Sequence, residues 1–447
     1  MRLSARASAL GASLERCRDD GCIGLDLSCP CGRSGPRINC VFIQSSDAVI
    51  PPRIIPIHRT GVAAATPDAG RDALKGRGTA VAIPHRFEPS TREAFDDGWD
   101  TLDEAALARG EAPPPATTVT HEQARSLLTR NSSPDIPFTL SLNPYRGCEH
   151  GCIYCYARPT HAYLDLSPGL DFETRLVAKI NAASVLQREL ARPGHQASCI
   201  AIGSITDAYQ PIERELRITR AVLQVLGDCA HPYALITKSA GVLRDLDLIA
   251  PAAHAGRAWV SVSITTLDAQ LARTLEPRAP APHRRLETVR RLAAAGVPVG
   301  VNVAPIIPFI NDGDIEAIVQ AAADAGARSI HHTVLRLPWE VAPLFRQWLQ
   351  VHAPERAARV MARVQDLHGI VAEQRVAQHG RPARDYDARF DQCMHGTGPW
   401  AELIRQRVAK ARARAGLNQP GLTALDASAF RPPVVPSALD ARQGTLF

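Results

Sequence analysis

Short apolar runs rich in β-branched residues alternate with stretches of helical periodicity from Phe138 to Leu335. The runs predict strands over residues 138–142, 199–205, 233–237, 258–264, 298–304 and 329–335. Between them the apolar positions recur every three to four residues. Leu176, Ile180, Ala183, Leu186 and Leu190 form one predicted helical face, and Ile315, Ile318, Val319 and Ala322 another. Gly194, Gly227, Gly296 and Gly326 stand where several of these helices should stop. Six strand–helix units in succession predict an α/β fold with a parallel sheet and right-handed crossovers. Such a sheet is a partial (β/α)6 TIM-like barrel, an open relative of the eight-stranded form.

The flanks read differently. The first seventy or so residues lack sustained periodicity and carry Cys17, Cys22, Cys29, Cys31 and Cys40 at irregular spacings. Four of these thiols are enough for a zinc ion, although the spacings match no regular knuckle. The other reading of residues 1–74 is an irregular, disordered extension or a translation start placed too far upstream. Met361 is the next methionine after Met1, so a shorter product would begin at a non-ATG codon such as that of Val49 or Val62. Residues 75–136 form a lead-in, with a polar run over 93–104, a hinge at Pro113, Pro114 and Pro115, and a predicted helix over 121–128. The barrel occupies 137–338. A helical C-terminal segment follows over 339–420, with helices over 341–351, 355–367 and 400–415, and the stretch 389–400 is expected to fold back over the barrel mouth. Residues 421–447 are Pro-, Ala- and Ser-rich and read as a flexible tail.

Composition narrows the class. The chain is 45% hydrophobic and 21% charged, which permits a large core and argues against wholesale disorder. No run has the length to cross a bilayer, so the expectation is a cytoplasmic protein with no membrane partner. A net charge of +6 allows an anionic partner without requiring one. Eleven cysteines are too many for a reducing compartment if they are structural disulfides. Cys199 and Cys229 read as buried free thiols.

Three more thiols lie close together. Cys148, Cys152 and Cys155 have C-x3-C-x2-C spacing, directly after the first predicted strand, with Gly147 and Gly151 allowing tight turns between them. Three thiolates leave one iron of a four-iron cluster without a protein ligand, and that open position can bind a cofactor or substrate directly. The competing reading is a zinc site that adds His150 as a fourth ligand. Lys238 ends the third strand, where a lysine at an otherwise apolar strand end needs an anionic partner. Thr206 and Asp207 are candidates to cap the next helix.

The run NPYRGCEHGCIYCYARPTHAYL, with ITDAYQP and TLEPR further on, resembles a bacterial branch of the radical S-adenosylmethionine (SAM) proteins related to spore photoproduct lyase. The resemblance covers Lys75 to about Ile404. It implies a barrel of the radical SAM type, a [4Fe-4S] cluster on Cys148, Cys152 and Cys155, and SAM on its open iron. It also implies SAM contacts from Tyr154, from the Gly203–Ser204 segment, from Lys238 toward the SAM carboxylate, and from Ser263. Glu276 matches the family without an assigned role and is expected to bond the ribose or to pair with Arg278. An electron donor such as flavodoxin or ferredoxin is implied, with a DNA or nucleotide lesion as the favoured substrate class and a peptide or small metabolite as the alternative. One departure stands out. Where spore photoproduct lyase has a cysteine that donates a hydrogen atom, this chain has Ile205, leaving Cys393 or Tyr209 as the only substitutes in view. Finally, Gln443, Gly444, Thr445, Leu446 and Phe447 resemble the terminal peptide with which bacterial repair proteins dock on the sliding clamp.

Overall fold

A computed structural model describes residues 76–87, 116–368, 385–386, 388–390, 392–417 and 425–434. Outside this set lie the N-terminal cysteines, the polar run, the proline hinge, and Gln443, Leu446 and Phe447 of the terminal peptide.

Ten strands form two sheets: β1 (Thr118–Glu122), β2 (Thr129–Arg130), β3 (Leu140–Leu142), β4 (Tyr145–Arg146), β5 (Arg175–Lys179), β6 (Ile200–Ile202), β7 (Tyr233–Thr237), β8 (Ala258–Ser263), β9 (Val299–Ile306) and β10 (Ser329–Val334). The larger sheet runs β10-β9-β8-β7-β6-β3-β2. Its six predicted strands pair in parallel, in chain order, and only the short β2 is antiparallel. Every residue of β3 and β6 is buried, as expected of parallel strands covered on both faces. The crossovers carry helices Ala182–Leu190, Ile218–Asp228, Leu246–His254, Pro282–Ala294 and Ile315–Asp324. This is the partial TIM-like barrel that the periodicity predicts.

Two local expectations are corrected. Residues 121–128 are not a helix: Thr118–Glu122 form a strand parallel to β5. The following backbone is bonded by side chains from elsewhere, with Asn181 bonding both the N–H and the carbonyl of Ala124, and Glu189 accepting from the N–H groups of Leu127 and Leu128. Tertiary partners thus replace the i→i−4 bonds that a helix would supply. Likewise, Leu176 and Ile180 do not share a helical face with Leu186. Leu176 is buried on β5, Ile180 is exposed, and the helix starts at Ala182. The second barrel strand is also shorter than 199–205, because Gly203 turns the chain with φ +82°.

The main core lies between the large sheet and its helices. A second apolar cluster joins Cys152, Ile153 and Tyr154 to Leu335, Leu344, Phe345, Trp348 and Val360. The C-terminal helices Val341–His352 and Ala357–Leu367 therefore brace the cysteine loop from behind. Helix Gly398–Arg414 packs against Ile315–Asp324, where Arg407 pairs with both oxygens of Glu316. The segment before it does return to the barrel mouth, and Val334 N–H donates to the Met394 carbonyl at 3.0 Å.

Candidate active site

The cysteine loop leaves β4 and is fastened on both sides. Cys148 N–H donates to the Phe172 carbonyl at 2.9 Å. Gly147 and Gly151 have φ of +76° and +66°, and a Cβ on either would fall within 3 Å of the Phe172–Leu176 region. Arg158 is wholly buried and uses all five of its donors. Nε bonds the Cys152 carbonyl at 3.0 Å, Nη1 bonds the carbonyls of Pro168 and Gly169, and Nη2 bonds the Gly151 carbonyl and Glu173 Oε1 at 2.5 Å. Glu173, also wholly buried, accepts from Gly78 N–H, so the lead-in segment locks the same clamp. On the other flank Glu149 accepts from Ile212 N–H, Thr117 and Arg278.

The carboxyl ends of the strands and this loop enclose one cavity of ≈ 350 Å³, within the range of about 300–1,000 Å³ common for small-molecule sites. The three cluster thiols and the five expected SAM contacts all line it: Cys148, Cys152, Cys155, Tyr154, Gly203, Ser204, Lys238 and Ser263. Gly203 is required there, since a Cβ would meet the Ile236 carbonyl at 2.5 Å. Lys238 has no ion-pair partner among the described residues, and its Nζ stands 6.0 Å from the centre of the Tyr154 ring. Burial by itself would lower its pKa, but negative charge at Cys152 and Glu276 raises it.

Two buried carboxylates organise the cavity floor. Asp207 accepts from Tyr209 N–H, Thr237 Oγ1 and Lys238 N–H at 2.7–2.8 Å and faces His150 Nδ1 at 3.4 Å. Burial pushes its pKa up, yet the charge and hydrogen bond of His150, with the Lys238 and Thr237 bonds, bring it down to about 2. Glu276 accepts from Tyr154, Thr265 and Arg285. Burial is again outweighed, here by Arg285 and then Lys238, and the carboxyl is held at about 2. Both groups are depressed, so their stabilisation is present above the unfolded value near pH ~4 and is lost as the pH falls toward the folded value. Urea midpoints should begin to fall below about pH 6.5, where His161, His231 and His332, buried neutral and held at about 4, must charge, and should fall further below about pH 4, and Glu276→Gln should remove part of that second drop. An equal drop in the variant would show that Glu276 contributes nothing to it.

Several expectations change. Glu276 does not pair with Arg278, which bonds Glu149 instead; its partner is Arg285, from the helix that swings back under β8. Asp207 bonds the β7 end rather than capping a helix. Tyr209 lies outside the cavity, with its hydroxyl on Asp245 at 3.1 Å, whereas Ile205 lines it. Cys393 is fully buried, its thiol 3.5 Å from Asp135 Oδ2, and only its neighbours Met394 and His395 reach the cavity. Cys229 is a buried free thiol, while Cys199 is only partly buried. Sequence reading missed Phe138, Tyr156, His332 and His395 in the lining. The Arg336 guanidinium stacks 4.2 Å over Tyr156. A cation inside an apolar Leu-Arg-Leu-Pro run was its one available signal.

The three thiols form a candidate donor set for a metal group. All three are free and face one cavity. Burial raises Cys148, with Asp207 and Cys152 adding to it, and pushes Cys152 up to about 12, so a cationic group is what would hold them as thiolates. Among the described residues no three Cys, His, Asp or Glu side chains form a group suited to a single ion, and His150 turns its Nδ1 to Asp207. A multi-iron group takes one thiolate per corner and has no need of such convergence; the donor set fits it.

An open parallel barrel whose strand ends and three-cysteine loop share one cavity defines a β/α-barrel protein with a thiol-lined candidate site. Residues 142–322 match the model of the Radical SAM superfamily. An uncharacterised protein of Mycobacterium tuberculosis is 35% identical over 270 residues, covering 59% of this chain and 79% of its own. An uncharacterised protein of Methanocaldococcus jannaschii is 29% identical over 171 residues, 38% of this chain and 61% of that one. The chain belongs to the radical SAM superfamily. Among solved structures, a spore photoproduct lyase mutant is 17% identical, with a TM-score of 0.46 over 67% of this chain and 80% of that one. Streptococcus suis SuiB bound to S-adenosylmethionine is 12% identical, with a TM-score of 0.29 over 49% and 47%. No described helix is long and apolar enough to cross a membrane.

Proposed function

We propose that this enzyme holds a [4Fe-4S] cluster on Cys148, Cys152 and Cys155 and SAM beside it, and acts on a DNA or nucleotide lesion. The observation that carries the cofactor reading is the sharing of one cavity by the three thiols and the strand-end residues. When bound, the pair supplies one-electron cleavage of the SAM sulfonium and so a 5′-deoxyadenosyl radical.

The chain's own residues have separable tasks. Lys238 offers the carboxylate of SAM an ammonium with no described ion-pair partner. Gly203 lets backbone approach where a Cβ has no room, and Ser204 and Ser263 place hydroxyl-bearing side chains along the same wall. Tyr154 is a fixed part of that wall, because Glu276 and Thr265 hold its hydroxyl. Phe138, Tyr156, His332 and His395 add aromatic and imidazole side chains to the lining, residue types suited to stacking a planar base. Ile205 has only alkyl C–H bonds, so hydrogen return to a product radical needs a donor other than the strand-two position.

Anaerobic reconstitution should yield iron, sulfide and, with dithionite, 5′-deoxyadenosine from SAM; a zinc-only protein would end the reading. Lys238→Ala should weaken SAM binding roughly tenfold to a hundredfold, the worth of one charge-assisted bond. An unchanged dissociation constant would remove Lys238 from the SAM site. Equal affinity for lesion-bearing and intact oligonucleotides would overturn the substrate class.

A further inference from the structure

Phe87, Tyr163 and Trp339, exposed to 52, 50 and 43%, meet at one place on the surface. The Arg86 guanidinium lies over all three rings, 4.6, 5.2 and 4.5 Å from their centres, and the Phe87 and Tyr163 centres are 5.3 Å apart. Arg86 is itself fixed by both oxygens of Glu340 at 3.1 Å and reaches the Pro159 carbonyl. Trp339 is held at φ +44°, in the left-handed region that a bulky residue enters only under constraint. Single exposed apolar side chains are ordinary; three aromatic rings gathered on a fixed cation form a preorganised contact surface of the residue types that anchor interfaces.

The position of the patch is specific. Tyr163 rides on the turn Arg158–Leu164, which begins three residues after Cys155. Trp339 follows Arg336 by three residues, and Arg336 stacks on Tyr156, the neighbour of Cys155. Cys155 is the least buried of the three thiols. None of the four patch residues lines the cavity. The patch is therefore built on segments that flank the cysteine loop in the chain and stays outside the cavity.

We infer that this patch docks the electron donor, a small carrier protein bearing a flavin or an iron–sulfur centre. This rests on the proposed function, which needs one electron per SAM cleaved. The reduced carrier loses one electron, the metal group held by the cysteines gains it, and no bond forms or breaks at the docking surface. Three half-exposed rings cover far less than the roughly 1,200 Å² of a stable complex, and electron-transfer encounters occupy that low end. Single-stranded nucleic acid fits less well. Among the described residues the cation at the patch is neutralised by Glu340, and Asp165, 75% exposed, adds negative charge beside it through His85. Backbone tracking needs unpaired cations. Docking driven by aromatic contact should depend only weakly on salt.

The test uses reconstituted full-length enzyme with bacterial flavodoxin as the probe. Trp339→Ala should raise both the dissociation constant and the KM for flavodoxin about tenfold. It should leave dithionite-driven formation of 5′-deoxyadenosine unchanged. Tyr163→Ser, at a half-exposed position, repeats the test without adding a charge beside the Arg86–Glu340 pair. Unchanged flavodoxin binding in both variants overturns the inference. So does loss of single-stranded oligonucleotide binding with flavodoxin binding intact, or the finding that residues 88–115 of this chain cover the rings in solution. Failure of the wild type with dithionite would sink the radical SAM reading, whereas the dissociation constant judges the docking surface by itself.

Discussion

Cys152→Ala should purify as a folded protein that forms no 5′-deoxyadenosine above background after anaerobic reconstitution. The Cys152 side chain is 7% exposed and shares its cluster with Ile153, Tyr154 and the C-terminal helices. The backbone bonds that shape the loop, from Arg158 Nε to the Cys152 carbonyl and from Cys155 N–H to the same carbonyl, do not involve the thiol. Replacing sulfur by hydrogen therefore removes a metal ligand without removing the turn, and the far-UV circular dichroism spectrum should match the wild type. Iron and sulfide per chain should fall together. Cys199→Ala, at a partly buried thiol outside the cavity, should keep both iron and turnover. Full turnover in Cys152→Ala would contradict the assignment of the cluster.

Arg158→Ala should be the most destabilising single change in the site. It leaves Glu173 as a wholly buried carboxylate without its guanidinium and strips hydrogen bonds from the carbonyls of Gly151, Cys152, Pro168 and Gly169. Breaking a buried pair in this way costs about 3–5 kcal/mol. Arg158→Lys should recover little of that loss, because an ammonium has three donors and no planar fork with which to reach carbonyls on two sides. Urea unfolding measures the loss, and iron content after reconstitution reports whether the loop still presents its thiols. Arg290→Ala, which removes an exposed pair with Glu287, is the control and should shift neither. An Arg158→Ala midpoint equal to that of the control would show that Arg158 is not the clamp.

The barrel was legible because its signal is local. Each strand–helix unit writes its own apolar period, so six strands could be counted in order without knowing what they touch. The cysteine spacing was legible for the same reason: three thiols within eight residues must lie close together whatever the fold. Periodicity failed where distant partners compete for backbone groups. Leu176 and Ile180 match a helical face as well as Leu186 does, but β1 and β4 pair with that segment and draw it into a strand.

The chemistry around the thiols divides in the same way. By itself the sequence determined the order of the barrel strands, the three-thiol loop after the first of them, and the strand-end positions of Lys238 and Ser263. Those follow from spacing and period. Only the tertiary structure decided which charges meet. His150 faces Asp207, Arg158 clamps Glu173, Glu276 takes Arg285 rather than Arg278, and Arg86 gathers three rings from segments far apart in the chain. Pairing of buried charge depends on where the chain returns, because a carboxylate in a low-dielectric core is satisfied by whichever donor packing brings within reach, and sequence distance does not encode that.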